Sequence, residues 1–194
     1  MGVNTFTDLD LSEQRLGAIE ALGWTVPTPI QAEAIPPGLA GTDVVGIAQT
    51  GTGKTGAFMV PALERLRAGA GLQVLVLCPT RELAQQVADD TVSLSMGTNI
   101  RTAAIFGGVG YGPQIEALES GFEVIVATPG RFIDHAHSKR VDLNSVNYLV
   151  LDEADRMLDM GFRPQIEEVL KGMPKKRQTM LFSATMPNGV HDLA

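Results

Sequence analysis

A chain of 194 residues that is 44% hydrophobic and 19% charged is too apolar for disorder and long enough to bury one real core. Its 15 Lys and Arg face 22 Asp and Glu, a net charge of −7, which argues against gripping nucleic acid by bulk charge. No run approaches about 18 uninterrupted apolar residues, so neither a membrane-spanning helix nor a membrane partner is predicted. From the start of the chain to Leu11 there are two acids, Asp8 and Asp10, and no Lys or Arg, so no secretory signal is expected. The lone Cys78 cannot form an internal disulfide. It reads as a buried small hydrophobe in a reducing compartment, by default the cytoplasm.

Two helices are predicted first, over Ser12–Leu22 and Pro29–Leu39. Short runs rich in Val, Leu and Ile follow at Val44–Ile47, Val74–Cys78, Thr102–Phe106, Val124–Ala127, Tyr148–Leu151 and Thr179–Phe182. Most do not alternate with polar residues, which is how strands buried on both faces read. Helices are predicted between them at Lys54–Arg67, Glu82–Met96, Pro113–Glu119, Arg131–His137 and Arg163–Leu170. Such alternation implies right-handed βαβ units. The expected fold is one α/β domain over 1–194, a mostly parallel central sheet with helices on both faces.

Two stretches carry chemistry. Ala48-Gln49-Thr50-Gly51-Thr52-Gly53-Lys54-Thr55 lies between a predicted strand and a predicted helix and fits the phosphate-loop pattern, with Ala48 in place of the first Gly. Gly51 and Gly53 let successive N–H groups curl toward phosphate oxygens, and the helix start adds its positive end. Lys54 is expected on the β- and γ-phosphates and the Thr55 hydroxyl on Mg²⁺. Tyr148–Leu151 then runs into Asp152-Glu153-Ala154-Asp155. Asp152 is expected to hold Mg²⁺ partly through water, and Glu153 to polarise the attacking water. The competing reading of the acids is a solvated helix start.

At these residues the chain resembles the first RecA-like domain of a DEAD-box RNA helicase, whose name is the tetrapeptide Asp152–Asp155. Gly23 to Gln31, with the upstream Phe6, is similar to the family's Q motif (about 4–32), although Trp24 stands where Phe or Tyr is commoner. Pro79-Thr80-Arg81-Glu82-Leu83-Ala84, Gly107-Gly108, Thr128-Pro129-Gly130-Arg131 and Ser183-Ala184-Thr185 complete the set in order.

The resemblance implies ATP and Mg²⁺ as cofactors, with Lys54, Asp152 and Glu153 catalytic. It implies nucleotide contacts from Phe6, Trp24, Thr28 and Gln31 and from Ala48 through Thr55. Gln31 carries both a carbonyl and an amide NH₂, which suits adenine's amino group and N7. Phe6 either stacks on the base or staples the N-terminal helix. The resemblance also implies sequence-independent contacts to an RNA backbone from Pro79, Thr80, Arg81, Gly107, Gly108, Thr128, Pro129, Gly130 and Arg131, each group following a predicted strand. Asp155, Ser183 and Thr185 are implied to couple the nucleotide state to the RNA grip. The remaining partner implied is a second, C-terminal RecA-like domain. Two rival readings use the same residues: a stand-alone nucleotide-responsive binding module, and a DNA helicase or translocase of the same superfamily.

Other features read as structural. His135 and His137, two apart on a helix, make a poor metal pair. Lys175-Lys176-Arg177 reads as a solvated connection, and Met157 and Met160 as core filling at helical spacing.

Overall fold

Ser12 opens α1 (Glu13–Ala21) because its hydroxyl accepts a hydrogen bond from the Arg15 N–H, satisfying a donor the helix cannot. Thr28 and Pro29 open α2 (Pro29–Leu39), where Gln31 Oε1 accepts from the Thr28 N–H. This computed structural model describes residues 2–186 and 188–193. Position 187 and the two ends of the expected 1–194 domain lie outside the described residues.

Six strands then form one sheet: β1 (Val44–Ile47), β2 (Val74–Leu77), β3 (Thr102–Ile105), β4 (Val124–Ala127), β5 (Tyr148–Leu151) and β6 (Gln178–Ser183), in the order β1-β6-β5-β2-β4-β3. All five pairings are parallel, with Val74 opposite both Val124 and Tyr148, and Val44 opposite Met180. The sheet is thus wholly parallel, where the sequence predicted mostly so. Its helices are α3 (Lys54–Arg65), α4 (Arg81–Leu94), α5 (Tyr111–Ser120), α6 (Pro129–His137), α7 (Ala154–Asp159) and α8 (Arg163–Gly172).

The strand order fixes which face each helix covers. From β1 to β3 the chain steps across the sheet one way, and from β3 to β6 it steps back. Crossovers of one hand that reverse direction must change face. Accordingly Val76, Val126, Val150 and Phe182 pack with Phe58 and Met59 of α3 and Val87 of α4. The alternate residues Leu75, Leu77, Leu149 and Leu151 pack with Phe132 of α6, Met157 of α7 and Val169 of α8. Phe58 and Phe132 are fully buried on opposite faces, and truncating either to Ala would cost about 3–5 kcal/mol.

Several boundaries differ from expectation. Cys78 and Phe106 fall just past β2 and β3 but remain buried. Pro129 and Gly130, read as loop, form the first turn of α6, where proline's missing N–H costs nothing. The same logic lets α5 begin at Tyr111, ahead of Pro113. The short α7 was not predicted. Met157 fills the core beneath it, but Met160, its C-cap, is 48% exposed and fills no core. Among the described residues no helix is long and apolar enough to cross a membrane.

Candidate functional site

The loop after β1 is closed by its own threonine: the Thr52 hydroxyl donates to Gln49 O at 2.6 Å. Gly51 and Gly53 have φ of 82° and 81°, which a side chain resists. A Cβ on Gly51 would meet nothing within 4 Å, so the outer side of the curl is open. A Cβ on Gly53 would lie 2.8 Å from Gln31 Nε2 and 3.0 Å from Thr28 Oγ1. That glycine lets the loop press against the start of α2. Lys54 and Thr55 then form the first turn of α3, whose leading N–H groups and positive dipole end face the curl.

The acidic corner arrives from β5. Asp152 is 0% exposed, and its N–H donates to Leu77 O. Glu153 adopts a left-handed conformation (φ 52°, ψ 52°), a strain of about 1–3 kcal/mol tolerated mostly at functional sites. The turn brings both acids to the loop. Lys54 Nζ lies 3.0 Å from Asp152 Oδ1 and 3.2 Å from Glu153 Oε1, and the Thr50 hydroxyl donates to Glu153 Oε1 at 3.2 Å. Arg156, which sequence reasoning passed over, holds the other Glu153 oxygen at 3.4 Å.

Apart from the ammonium, neither Asp152 oxygen has a hydrogen-bond partner among the described residues. Burial pushes the Asp152 carboxyl up, with Lys54 pulling against it. Burial also disfavours the charge on Lys54, but the facing carboxylates outweigh it and hold the ammonium above its ordinary value. Burial pushes the Cys78 thiol well up, so it is an inert core group.

A third group joins the corner from the end of β6. The Asp155 N–H donates to Ser183 Oγ, whose hydroxyl donates to Thr185 O. Both the N–H and the hydroxyl of Thr185 donate to Asp155 Oδ2, at 3.0 and 2.9 Å. Burial tends to raise Asp155, but these donors and the Arg156 N–H outweigh it and hold the carboxyl below its ordinary value.

The residues in front of the sheet are turned inward. Phe6 is 4% exposed and stacks on Trp24 at 6.2 Å, so its ring staples the N-terminal segment and presents no free face for a base. Gln31 has both ends engaged, accepting from Thr28 N and donating to Gly53 O at 3.0 Å. Pairing with adenine would require Gln31 to leave both. Gly56, also missed in the sequence, explains the fit: a Cβ there would lie 2.7 Å from Gln31 Nε2 and from the Trp24 ring. A cleft of about 520 Å³ opens beside the loop. Thr28, Ala48, Gln49 and Thr52 line it together with Pro29, Ile30, Glu33, Ile47 and Ala184, whereas Phe6, Trp24 and Gln31 do not.

The other implied contacts lie along the same rim, beyond β2, β4 and β3. Thr80, after Pro79, caps α4 by accepting from Leu83 N, so its hydroxyl oxygen is engaged. The Arg81 guanidinium sits 5.2 Å over the Phe106 ring, next to Gly108. Gly107 and Gly130 face open space, and Gly108 has φ 81°. Arg131 donates to Val109 O at 2.9 Å and lies 4.0 Å over the Tyr111 ring. Thr128, the N-cap of α6, donates its N–H to Ile105 O. The structure therefore gathers the glycine curl after β1, the buried and the strained acid after β5 and the Ser183 end of β6, with glycines and two arginines further along the same rim. His135 is buried and His137 pairs with Glu168.

A family model described as DEAD/DEAH box helicase matches residues 28–193. The chain is 47% identical, over 97% of its length, to DEAD-box ATP-dependent RNA helicase 30 of Arabidopsis thaliana, covering 33% of that protein. It is 46% identical, over 99% of its length, to DEAD-box ATP-dependent RNA helicase 20 of Oryza sativa subsp. japonica, covering 40% of that one. A crystal structure of a DEAD box protein from the hyperthermophile Methanococcus jannaschii superposes with a TM-score of 0.96 at 42% identity, covering all of this chain and 53% of the other. The chain thus spans well under two thirds of each of these relatives.

Proposed function

This chain belongs to the DEAD/DEAH box helicase family, and from that premise we propose that it is the ATP-binding RecA-like half of an ATP-dependent RNA helicase. The observation that carries the reading is the Lys54 ammonium held between Asp152 and Glu153 at the mouth of the glycine curl. The two acids stand where phosphate oxygens would otherwise satisfy the lysine. On nucleotide binding Lys54 turns to the β- and γ-phosphates, which frees Glu153 to accept a proton from water at the γ-phosphate. The two buried, otherwise unpartnered oxygens of Asp152 and the Thr55 hydroxyl in the first turn of α3 fit Mg²⁺ held largely through its own waters. When bound, that ion neutralises charge on the transferring phosphoryl group.

Asp155, tied to Ser183 and Thr185, carries the state of the acidic corner to the end of β6. The glycines and arginines beyond β2, β3 and β4 then hold one RNA strand by its backbone, without reading bases. A second RecA-like domain is the partner that closes over the nucleotide and supplies a cationic group, worth about 10³–10⁵ in rate in other nucleotide hydrolases. Residues 1–194 alone bind adenine nucleotide weakly and unwind nothing.

Titration of the chain with ATP, ADP and GTP tests the reading. Lys54→Ala is expected to weaken every nucleotide bearing a β-phosphate, and Gln31→Ala to erode the preference for adenine. ATP affinity unchanged by Lys54→Ala overturns the phosphate assignment, and robust unwinding of a short RNA duplex by residues 1–194 overturns the half-site argument.

A further inference from the structure

The rim that carries Gly107, Gly108 and Arg131 is held from beneath by Gln114, a 6% exposed side chain of α5. Its amide nitrogen donates to Phe106 O at 2.8 Å, pinning the chain where β3 ends and the glycine loop begins. Its oxygen faces two donors of α6, His135 Nε2 at 3.2 Å and Arg131 Nη1 at 3.4 Å. This amide orientation is chemically forced, because a carbonyl needs the NH₂ and a guanidinium needs the oxygen. Arg131 itself closes the loop from the other side through Val109 O, and it rests on the Tyr111 ring. The Tyr111 hydroxyl in turn donates to Asp134 Oδ2 at 2.8 Å.

We infer that Gln114 is a positioning residue of the RNA grip, fixing the glycine loop and the Arg131 guanidinium relative to each other so that both meet one RNA backbone. The inference rests on the proposed RNA contact of that rim. A neutral side chain touching no phosphate then carries an electrostatic signature, since its loss lets a cation drift from its phosphate.

The test uses residues 1–194 and a fluorescein-labelled oligouridylate of about ten nucleotides, titrated by anisotropy from roughly 50 to 200 mM KCl. Gln114→Met is expected to weaken binding about fivefold and to reduce the salt slope by about 0.7, the value of one single-strand phosphate contact. Arg131→Gln should do the same, and the double variant should be no worse than either alone. Tyr111→Leu, at an exposed position that folding tolerates, removes the platform under Arg131 and should lower the slope even if Gln114→Met does not fold. Weaker binding at an unchanged slope, or additive effects of Gln114→Met and Arg131→Gln, overturns the inference.

Backbone NMR order parameters separate this from the underlying reading. At 107–109 they should fall from about 0.85 toward about 0.6 in Gln114→Met, while those at 48–53 stay as they were. Unchanged order parameters at 107–109 refute the tether itself. If the unsubstituted chain binds no oligouridylate at any salt while the tether is real, the RNA reading fails and Gln114 is left a purely structural group.

Discussion

Replacing Lys54 by Met keeps most of the side-chain volume and removes the charge that faces Asp152. The perturbation is severe because Asp152 is wholly buried and its cationic partner is that ammonium, 3.0 Å away. Removing one partner of a buried ion pair leaves the other uncompensated, at about 3–5 kcal/mol. Asp152 escapes part of this by taking up a proton, so the cost depends on pH. Burial already raises its pKa, and without Lys54 the rise must be larger. A carboxyl whose folded pKa exceeds its unfolded value of about 3.9 stabilises the fold fully below that value and loses the contribution as pH rises through the folded pKa.

The deficit of Lys54→Met relative to the parent is therefore small near pH 4 and grows by up to about 1.4 kcal/mol per pH unit, levelling at about 3–5 kcal/mol. In a chain of this size that is a fall in Tm of about 6–20 °C at pH 8. The parent should show a weaker trend of the same sign, because its Asp152 is also raised by burial while Lys54 stays charged across this range and pulls against it. Urea unfolding from pH 5.5 to 8.5 measures the effect. Adding Asp152→Asn should restore at least half of the deficit at pH 8, since the stranded charge is gone. A deficit that is flat across this range, or one that Asp152→Asn fails to relieve, would refute the buried-pair argument.

In a polypeptide containing both RecA-like domains, Glu153→Gln should lower ATP hydrolysis by about 10²–10⁴, the worth of a positioned base, and spare nucleotide affinity; comparable turnover would remove Glu153 from that role. Gly56→Ala would ordinarily stabilise a helix by about 1 kcal/mol, but here the added Cβ lies 2.7 Å from both Trp24 and Gln31. A net loss of about 1–2 kcal/mol is expected in urea unfolding, and a gain would show that Trp24 and Gln31 are not packed there. Thr185→Val deletes the hydroxyl that donates to Asp155. The Asp155 carboxyl, followed by carbon-detected NMR, should then titrate closer to its ordinary value. Because its pKa is depressed in the fold, the accompanying loss of stability should be present at pH 7 and fade as pH falls through that depressed value. An unmoved titration would place the carboxyl's stabilisation elsewhere.

The sequence by itself determined what is written in contiguous strings. Unbroken apolar runs with helical segments between them imply a parallel sheet, because strands buried on two faces cannot alternate. Gly51, Gly53, Lys54 and Thr55 predict a curled loop running into a helix start, since backbone curvature and a helix start are local properties. What the string could not supply is which distant groups meet. Lys54 and Glu153 are 99 positions apart, and only the return of the chain through β5, one strand away from β1 across β6, brings them to 3.2 Å. The left-handed turn at Glu153 is likewise invisible in its residue type, since non-glycine residues rarely adopt it. Phe6 and Gln31 offered a stacking ring and a two-ended amide. Burial against Trp24, Gly53 and Gly56 turned them inward, and burial is decided by the neighbours a side chain finds in three dimensions.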